Sequence, residues 1–171
     1  MTVIVKLNQF VVKTRFLFFS IILAAFLSSA MPFGSHSLKI GAEAPSITFS
    51  TETQSQLKLE NAPTLINFWS IYNPQSRIDN NRLANAIAGM HDSKINFVSI
   101  CIDTDETLHK EIILQDKIDD KGFFFNRNDI NEEVFKDYQT STGLRSFLLN
   151  DSGELLAINP SENDIMKAFA N

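Results

Sequence analysis

Apolar positions in this chain fall into short compact runs that alternate with longer segments of helical spacing. The most compact run, Leu65-Ile66-Asn67-Phe68-Trp69, is rich in aromatic and β-branched residues and predicts a central strand. Asn73 follows, placed to cap a helix through its side-chain oxygen, and Pro74 suits the first helical position, where no N–H is needed. The spacing of Ile78, Leu83, Ala86, Ile87 and Met90 predicts one broad apolar face on that helix, with Gly89 and His91-Asp92-Ser93 ending it. Ile95 to Ile102 is almost continuously apolar, as a strand covered on both faces should be. Asp103 to Glu106 has capping-box spacing, and Leu108, Ile112 and Ile113 mark a second helix.

The remaining segments complete an alternating pattern. Ile47-Thr48-Phe49-Ser50 and Gln56-Leu57-Lys58-Leu59 read as short strands joined by a hairpin turn, and Asn61-Ala62-Pro63 breaks the chain before the central strand. Phe123-Phe124-Phe125 predicts another strand or a buried loop, and Glu132 to Tyr138 a brief helix with Val134, Phe135 and Tyr138 inward. Ser146 to Leu149 and Glu154 to Ile158 flank Asn150-Asp151-Ser152-Gly153, a good hairpin turn. Pro160-Ser161 opens a last helix, with Ser161 as cap and Ile165 and Phe169 one turn apart. Parallel units come first and an antiparallel hairpin last, which predicts an α/β fold: a mixed central sheet flanked by helices.

The first thirty residues stand apart. Lys6, Lys13 and Arg15 precede an apolar segment from Phe16 to Leu27, followed by Ser28-Ser29-Ala30. A positive start, an apolar middle and a small-residue end describe a secretory signal peptide over 1–30, with 31–39 as linker and 40–171 as the domain. The apolar run is short against the ~20 residues a span needs, so no stable membrane span is expected once the signal is cleaved. An uncleaved anchor is the alternative. Residues 1–30 carry three positive and no negative charges, so the mature chain is more acidic than the full-length net charge of −5. That balance gives no basic surface for nucleic acid. The expected location is extracytoplasmic, periplasmic or secreted.

Candidate chemistry is sparse. A single cysteine, Cys101, excludes an internal disulfide, a CxxC pair and a cysteine zinc site. It sits in the apolar strand 97–102, where cysteine behaves as a small buried hydrophobe. His36, His91 and His109 show no ligand spacing, so neither a metal nor another cofactor is expected.

From about Leu38 to Phe169 the chain resembles the thioredoxin-like fold, in the extracytoplasmic TlpA-like branch related to the peroxiredoxins. Gly41-Ala42-Glu43-Ala44-Pro45 resembles the G-x-x-A-P motif that opens that branch. Asn67-Phe68-Trp69-Ser70-Ile71-Tyr72 resembles its N-F-W-A-x-W strand end, and Phe147-Leu148-Leu149-Asn150-Asp151-Ser152-Gly153 its F-L-I-D-x-x-G hairpin. In the family, W-C-x-x-C-R follows the strand. Here Tyr72 matches the tryptophan and Arg77 the arginine, which sets Asn73 and Ser76 at the two cysteines.

The resemblance implies a degenerate active-site loop, Tyr72-Asn73-Pro74-Gln75-Ser76, with no catalytic residue. Neither an amide nor a hydroxyl can exchange disulfides. The family's cis-proline, in the loop before its F-L-I-D strand, has no counterpart in Thr140-Ser141-Thr142-Gly143-Leu144-Arg145-Ser146. Ser76 as an activated nucleophile would need a base in reach, and no histidine lies near it in the motif. Arg77 reads as a solvated surface arginine, or as an anion contact at the helix N-terminus. Phe68 and Trp69 read as core and Tyr72 as a surface contact. A groove formed by Tyr72, Asn73, Ser76, Arg77, Leu144 and Arg145 is the expected binding site for a peptide or an envelope protein. The expected function is a non-catalytic binding or scaffold module. The alternative is a thiol-disulfide oxidoreductase or peroxidase serving extracytoplasmic redox homeostasis.

Overall fold

The computed structural model describes residues 38–50, 57, 61–90, 95–118 and 122–169. The expected signal segment, most of the linker, the turn at 51–55 and His91-Asp92-Ser93 lie outside the described residues.

Five strands form one mixed sheet: β1 (Thr64–Trp69), β2 (Asn96–Cys101), β3 (Phe123–Phe125), β4 (Ser146–Leu149) and β5 (Leu155–Ile158), in the order β3-β2-β1-β4-β5. β1 pairs in parallel with β2 and antiparallel with β4. The helices are α1 (Pro74–Ala88), α2 (Glu106–Gln115), α3 (Glu132–Asp137) and α4 (Glu162–Phe169). α1 connects β1 to its parallel neighbour β2, and α2 connects β2 to its parallel neighbour β3.

Both faces of the sheet are covered, so β1 and β2 are buried at every position. Side chains alternate across a strand. Ile66 and Phe68 with Val98 and Ile100 therefore face one core, closed by Val134, Phe135 and Tyr138 around α3. Leu65 and Trp69 with Phe97 and Cys101 face the other, closed by Leu83 and Ile87 of α1, Ile112 and Ile113 of α2, and Ile165 of α4. Phe68 sits among three rings, with centroids 5.2 Å from Tyr138, 6.1 Å from Phe147 and 6.2 Å from Phe135. The thioredoxin-like three-layer fold, a mixed sheet between helices, is what the molecule shows.

Local chemistry explains most boundaries. At the β4–β5 hairpin, Asn150 Oδ1 accepts from the N–H groups of Ser152 and Glu154, while Gly153 takes the left-handed conformation at φ +82° that a Cβ would strain. Ser161 and Asp164 bond reciprocally at the start of α4.

Three expectations are corrected. Ile47–Ser50 is not one of the five strands of the sheet and makes an isolated bridge from Phe49 to Ile130; of its expected hairpin partner Gln56–Leu59 only Leu57 is among the described residues, and its N–H reaches Ile47 O at 2.9 Å. Ile78 does not join the apolar face of α1. It is 59% exposed, because the face that meets the sheet is centred on Asn80, Leu83, Ala84 and Ile87. Asp103 does not cap α2; Asp105 does, through Leu108 N–H at 3.0 Å.

Candidate functional site

The site is the loop between β1 and α1. Trp69 ends β1 with its indole fully buried, and four residues later Asn73 takes an extended conformation and accepts the Ser76 N–H at 3.1 Å. That bond satisfies one of the orphan amides of the first helical turn, and Pro74 removes another. The Ser76 hydroxyl folds back on the loop. It accepts from Ser70 N–H at 3.1 Å and lies 3.2 Å from Ser70 O and 2.9 Å from Asn73 O, so its one proton is shared between two carbonyls. Ser70 Oγ in turn accepts the Tyr72 N–H.

A second anchor comes from β2. Just beyond the strand, Asp103 Oδ2 accepts the Ile71 N–H at 2.6 Å and lies 3.5 Å from Cys101 Sγ. Asp103, expected as a helix cap, instead ties the loop to the neighbouring strand. Tyr72 projects outward, 68% exposed, and Asn73, Pro74 and Gln75 after it are exposed too.

The expected binding residues divide into two groups. Ser76, Leu144 and Arg145 line one cleft of about 280 Å³ on the flank of α1. Tyr72, Asn73 and Arg77 do not line it. Arg77 is turned the other way: its guanidinium grips Asp116 at 2.9 and 2.7 Å and reaches Gln115 at 3.1 Å. The hydrogen bond to Asp116 raises its pKa, against a smaller effect of burial. Arg77 is thus neither freely solvated nor turned toward the loop; it clamps α1 to the end of α2.

Asp79, Arg82 and Asn159 also line the cleft, and the sequence reading missed them. Ser76, Asp79 and Leu83 follow helical i, i+3, i+7 spacing, the signal that could have placed Asp79 there. Asn159 arrives from the far end of β5, 83 residues after Ser76 in the chain, and no local pattern announces it.

Cys101 does not line this cleft; it packs in the core with Trp69 and Ile112. Burial pushes its thiol up to about 12, so the sulfur stays protonated and inert at neutral pH. Nearby on α2, His109 is buried with its ring centroid 5.8 Å from that of Trp69, and burial lowers its pKa. It is not hydrogen-bonded to Ser76, whose bonding atoms all belong to the loop. Among the described residues, no group of three or more His, Cys, Asp or Glu side chains is placed to hold a metal ion.

No family model and no curated protein matches the chain. Solved structures do. A thioredoxin-like protein from Parabacteroides distasonis is similar with TM-score 0.65 and 28% identity, over 79% of this chain and 97% of that one. The thioredoxin domain of a thiol-disulfide oxidoreductase from Bacteroides vulgatus is similar with TM-score 0.62 and 20% identity, over 79% of this chain and 100% of that one. A secreted disulfide oxidoreductase from Mycobacterium tuberculosis is similar with TM-score 0.53 and 16% identity, over 72% of this chain and 93% of that one.

The chain has a thioredoxin-like fold. It does so with one cysteine, buried in β2 rather than in the loop. The motif resemblance sets Asn73 and Ser76 where the sulfur pair is expected, and the structure makes them a helix cap and a loop brace.

Proposed function

We propose that this thioredoxin-like domain is an extracytoplasmic binding or scaffold module that does not exchange disulfides. One observation carries the reading: both positions where sulfur is expected hold groups already committed to structure. Asn73 spends its side-chain oxygen on Ser76 N–H, and Ser76 spends its hydroxyl on Ser70 and on the Asn73 carbonyl. Exchange needs a thiolate to attack and a second sulfur to resolve the mixed disulfide. The one thiol available is buried and protonated.

What remains is a surface. Tyr72 offers an exposed aromatic ring, and the cleft beside Ser76, Leu144 and Arg145 offers a polar recess. A peptide or an envelope protein is the partner these features suit. Export is supported by the pattern of residues 1–30 and by the secreted mycobacterial neighbour. No helix among the described residues is long and apolar enough to cross a membrane.

The test is an insulin-reduction assay with mixed-disulfide trapping on the mature protein, beside the Cys101→Ser variant. The expected result is no turnover and no trapped adduct from either. Turnover by the parent protein overturns the reading in favour of an oxidoreductase or peroxidase, and its loss in Cys101→Ser would assign the activity to that thiol. Mass spectrometry of the mature N-terminus from intact cells checks the export half, with cleavage expected near Ala30.

A further inference from the structure

We infer that the cleft beside α1 selects an extended partner segment carrying one carboxylate side chain, with Arg145 as the residue that reads it. This deepens the binding-module reading and rests on it.

Charge pairing singles out Arg145. Arg77 is held by Asp116, Arg82 by Glu162 at 2.8 Å and Asp79 at 3.8 Å, and Arg127 by Glu132. Among the described residues, Arg145 is the arginine with no carboxylate partner; its guanidinium donates to Thr142 Oγ1 at 3.1 Å. It is half-buried on the cleft wall, where an unpaired cation has lost part of its hydration without gaining an opposite charge. Its backbone is fixed independently, because Arg145 O accepts the Phe68 N–H at 3.0 Å. Beside it, Asn159 is held at φ +51° by Ser146. Asn159 N–H donates to Ser146 O at 2.7 Å, and Asn159 Oδ1 accepts Ser146 N–H at 3.0 Å. That pair turns the amide oxygen of Asn159 inward and leaves its NH2 group to donate.

The occupant follows from size and charge. A guanidinium presents a fork of donors that matches a carboxylate. A free small anion held by one partly exposed arginine would gain little, since such pairs contribute weakly on their own. The carboxylate must come attached to a longer segment that also covers Leu144 and the neighbouring wall. The chain is acidic as a whole, net charge −5, so a strongly acidic partner is repelled at long range. One carboxylate for Arg145, among neutral or basic residues that tolerate Asp79 on the same cleft wall, suits both the local and the overall charge.

The experiment pans a random display library of unstructured twelve-residue peptides against the mature protein. Synthetic versions of the enriched sequences are then titrated by calorimetry. The expected result is enrichment of one Asp or Glu in an otherwise neutral or basic peptide. Its change to Asn or Gln should weaken binding about tenfold. Arg145→Glu should reverse the preference toward Lys or Arg at that position, whereas Arg127→Gln, at an arginine paired with Glu132 and outside the cleft lining, should leave it unchanged. Unaltered thermal melting confirms that both variants fold. Peptides that bind without an acidic preference, and whose selection ignores Arg145→Glu, overturn the inference while leaving the binding-module reading standing. A preference that moves with Arg127→Gln overturns the assignment to Arg145. Succinate competing as strongly as the peptide overturns the peptide assignment in favour of a small-anion site. Failure to enrich any peptide overturns the binding-module reading itself.

Discussion

The Oδ1 of Asn80, in the middle of α1, accepts the amide of Asn67 in β1 at 2.8 Å. It also accepts the Ser99 hydroxyl of β2 at 2.8 Å, so one oxygen joins the helix to the two central strands. All three residues are buried, with Asn80 1% exposed. A polar network in the core is stabilising only while each donor has its acceptor. Asn80→Ala leaves two buried donors unpaired, at about 1–3 kcal/mol each. The expected result in urea is a clearly lower unfolding midpoint with an unchanged m-value. Adding Ser99→Ala to Asn80→Ala should cost less than the two single losses combined, because it removes one of the orphaned donors. Strict additivity would show that the shared oxygen is not what holds these elements.

Asn73 makes a second quantitative case. Its one side-chain bond, to Ser76 N–H at 3.1 Å, is an N-cap bond. Asn73→Ala should therefore cost about 1 kcal/mol of stability. Asn73→Asp should cost nothing or add a few tenths of a kcal/mol at pH 7, since a carboxylate at a helix N-terminus also meets the dipole. Equilibrium unfolding of the three proteins at pH 7 checks this. Equal stability of Asn73→Ala and the parent would remove the structural role assigned to the amide.

How much of this was legible beforehand depends on sequence distance. The β1 run, the Asn73-Pro74 start of α1 and the Asn150–Gly153 hairpin are set by residues within a few positions of one another, so local pattern found them. The face of α1 was misread because Ile78 looked apolar enough to be core; the network with Asn67 and Ser99 turns Asn80 inward and leaves Ile78 outside. Asp103 was misread because capping-box spacing cannot tell a helix cap from a brace 32 residues away, at Ile71. Arg77 met Asp116 across 39 residues. The cleft gathers residues from α1, the loop before β4 and the end of β5, and only the tertiary fold brings Asn159 beside Arg145. Signals carried by spacing along the chain survived, and those that depend on distant partners did not.

His109 should make stability depend on pH. Burial dominates its environment and lowers its pKa. Asp129, Asp103 and Glu106 favour the charged form, while Lys110 disfavours it. In the unfolded chain the imidazole titrates near its ordinary value of about 6.5. Between that value and the lowered folded one, the unfolded state holds a proton that the folded state lacks, so stability falls as pH falls. Above about 6.5 neither state holds the proton and the effect is absent. The slope can reach at most about 1.4 kcal/mol per pH unit for one group. Urea midpoints measured from pH 7.5 to 5 should decline in the parent and stay flatter in His109→Leu. Carboxylates with lowered pKa, such as Asp164, act at lower pH and are common to both proteins. Parallel curves would exclude His109 as the source.

Cys101 gives the most direct chemical test of the site assignment. It is fully buried between the sheet and α2, with Trp69 opposite it in the β1–β2 register. With its thiol pushed up to about 12, only on the order of one molecule in ten thousand carries a thiolate at pH 8. Native protein should therefore react with a thiol-specific disulfide reagent no faster than the chain opens. It should release one equivalent rapidly once unfolded in denaturant. Cys101→Ser should abolish the reaction and also destabilise the fold, because a hydroxyl replaces a sulfur that packs as an apolar group. Rapid labelling of the folded protein would place a reactive thiol in a domain whose loop has none, and would reopen redox chemistry away from Asn73 and Ser76.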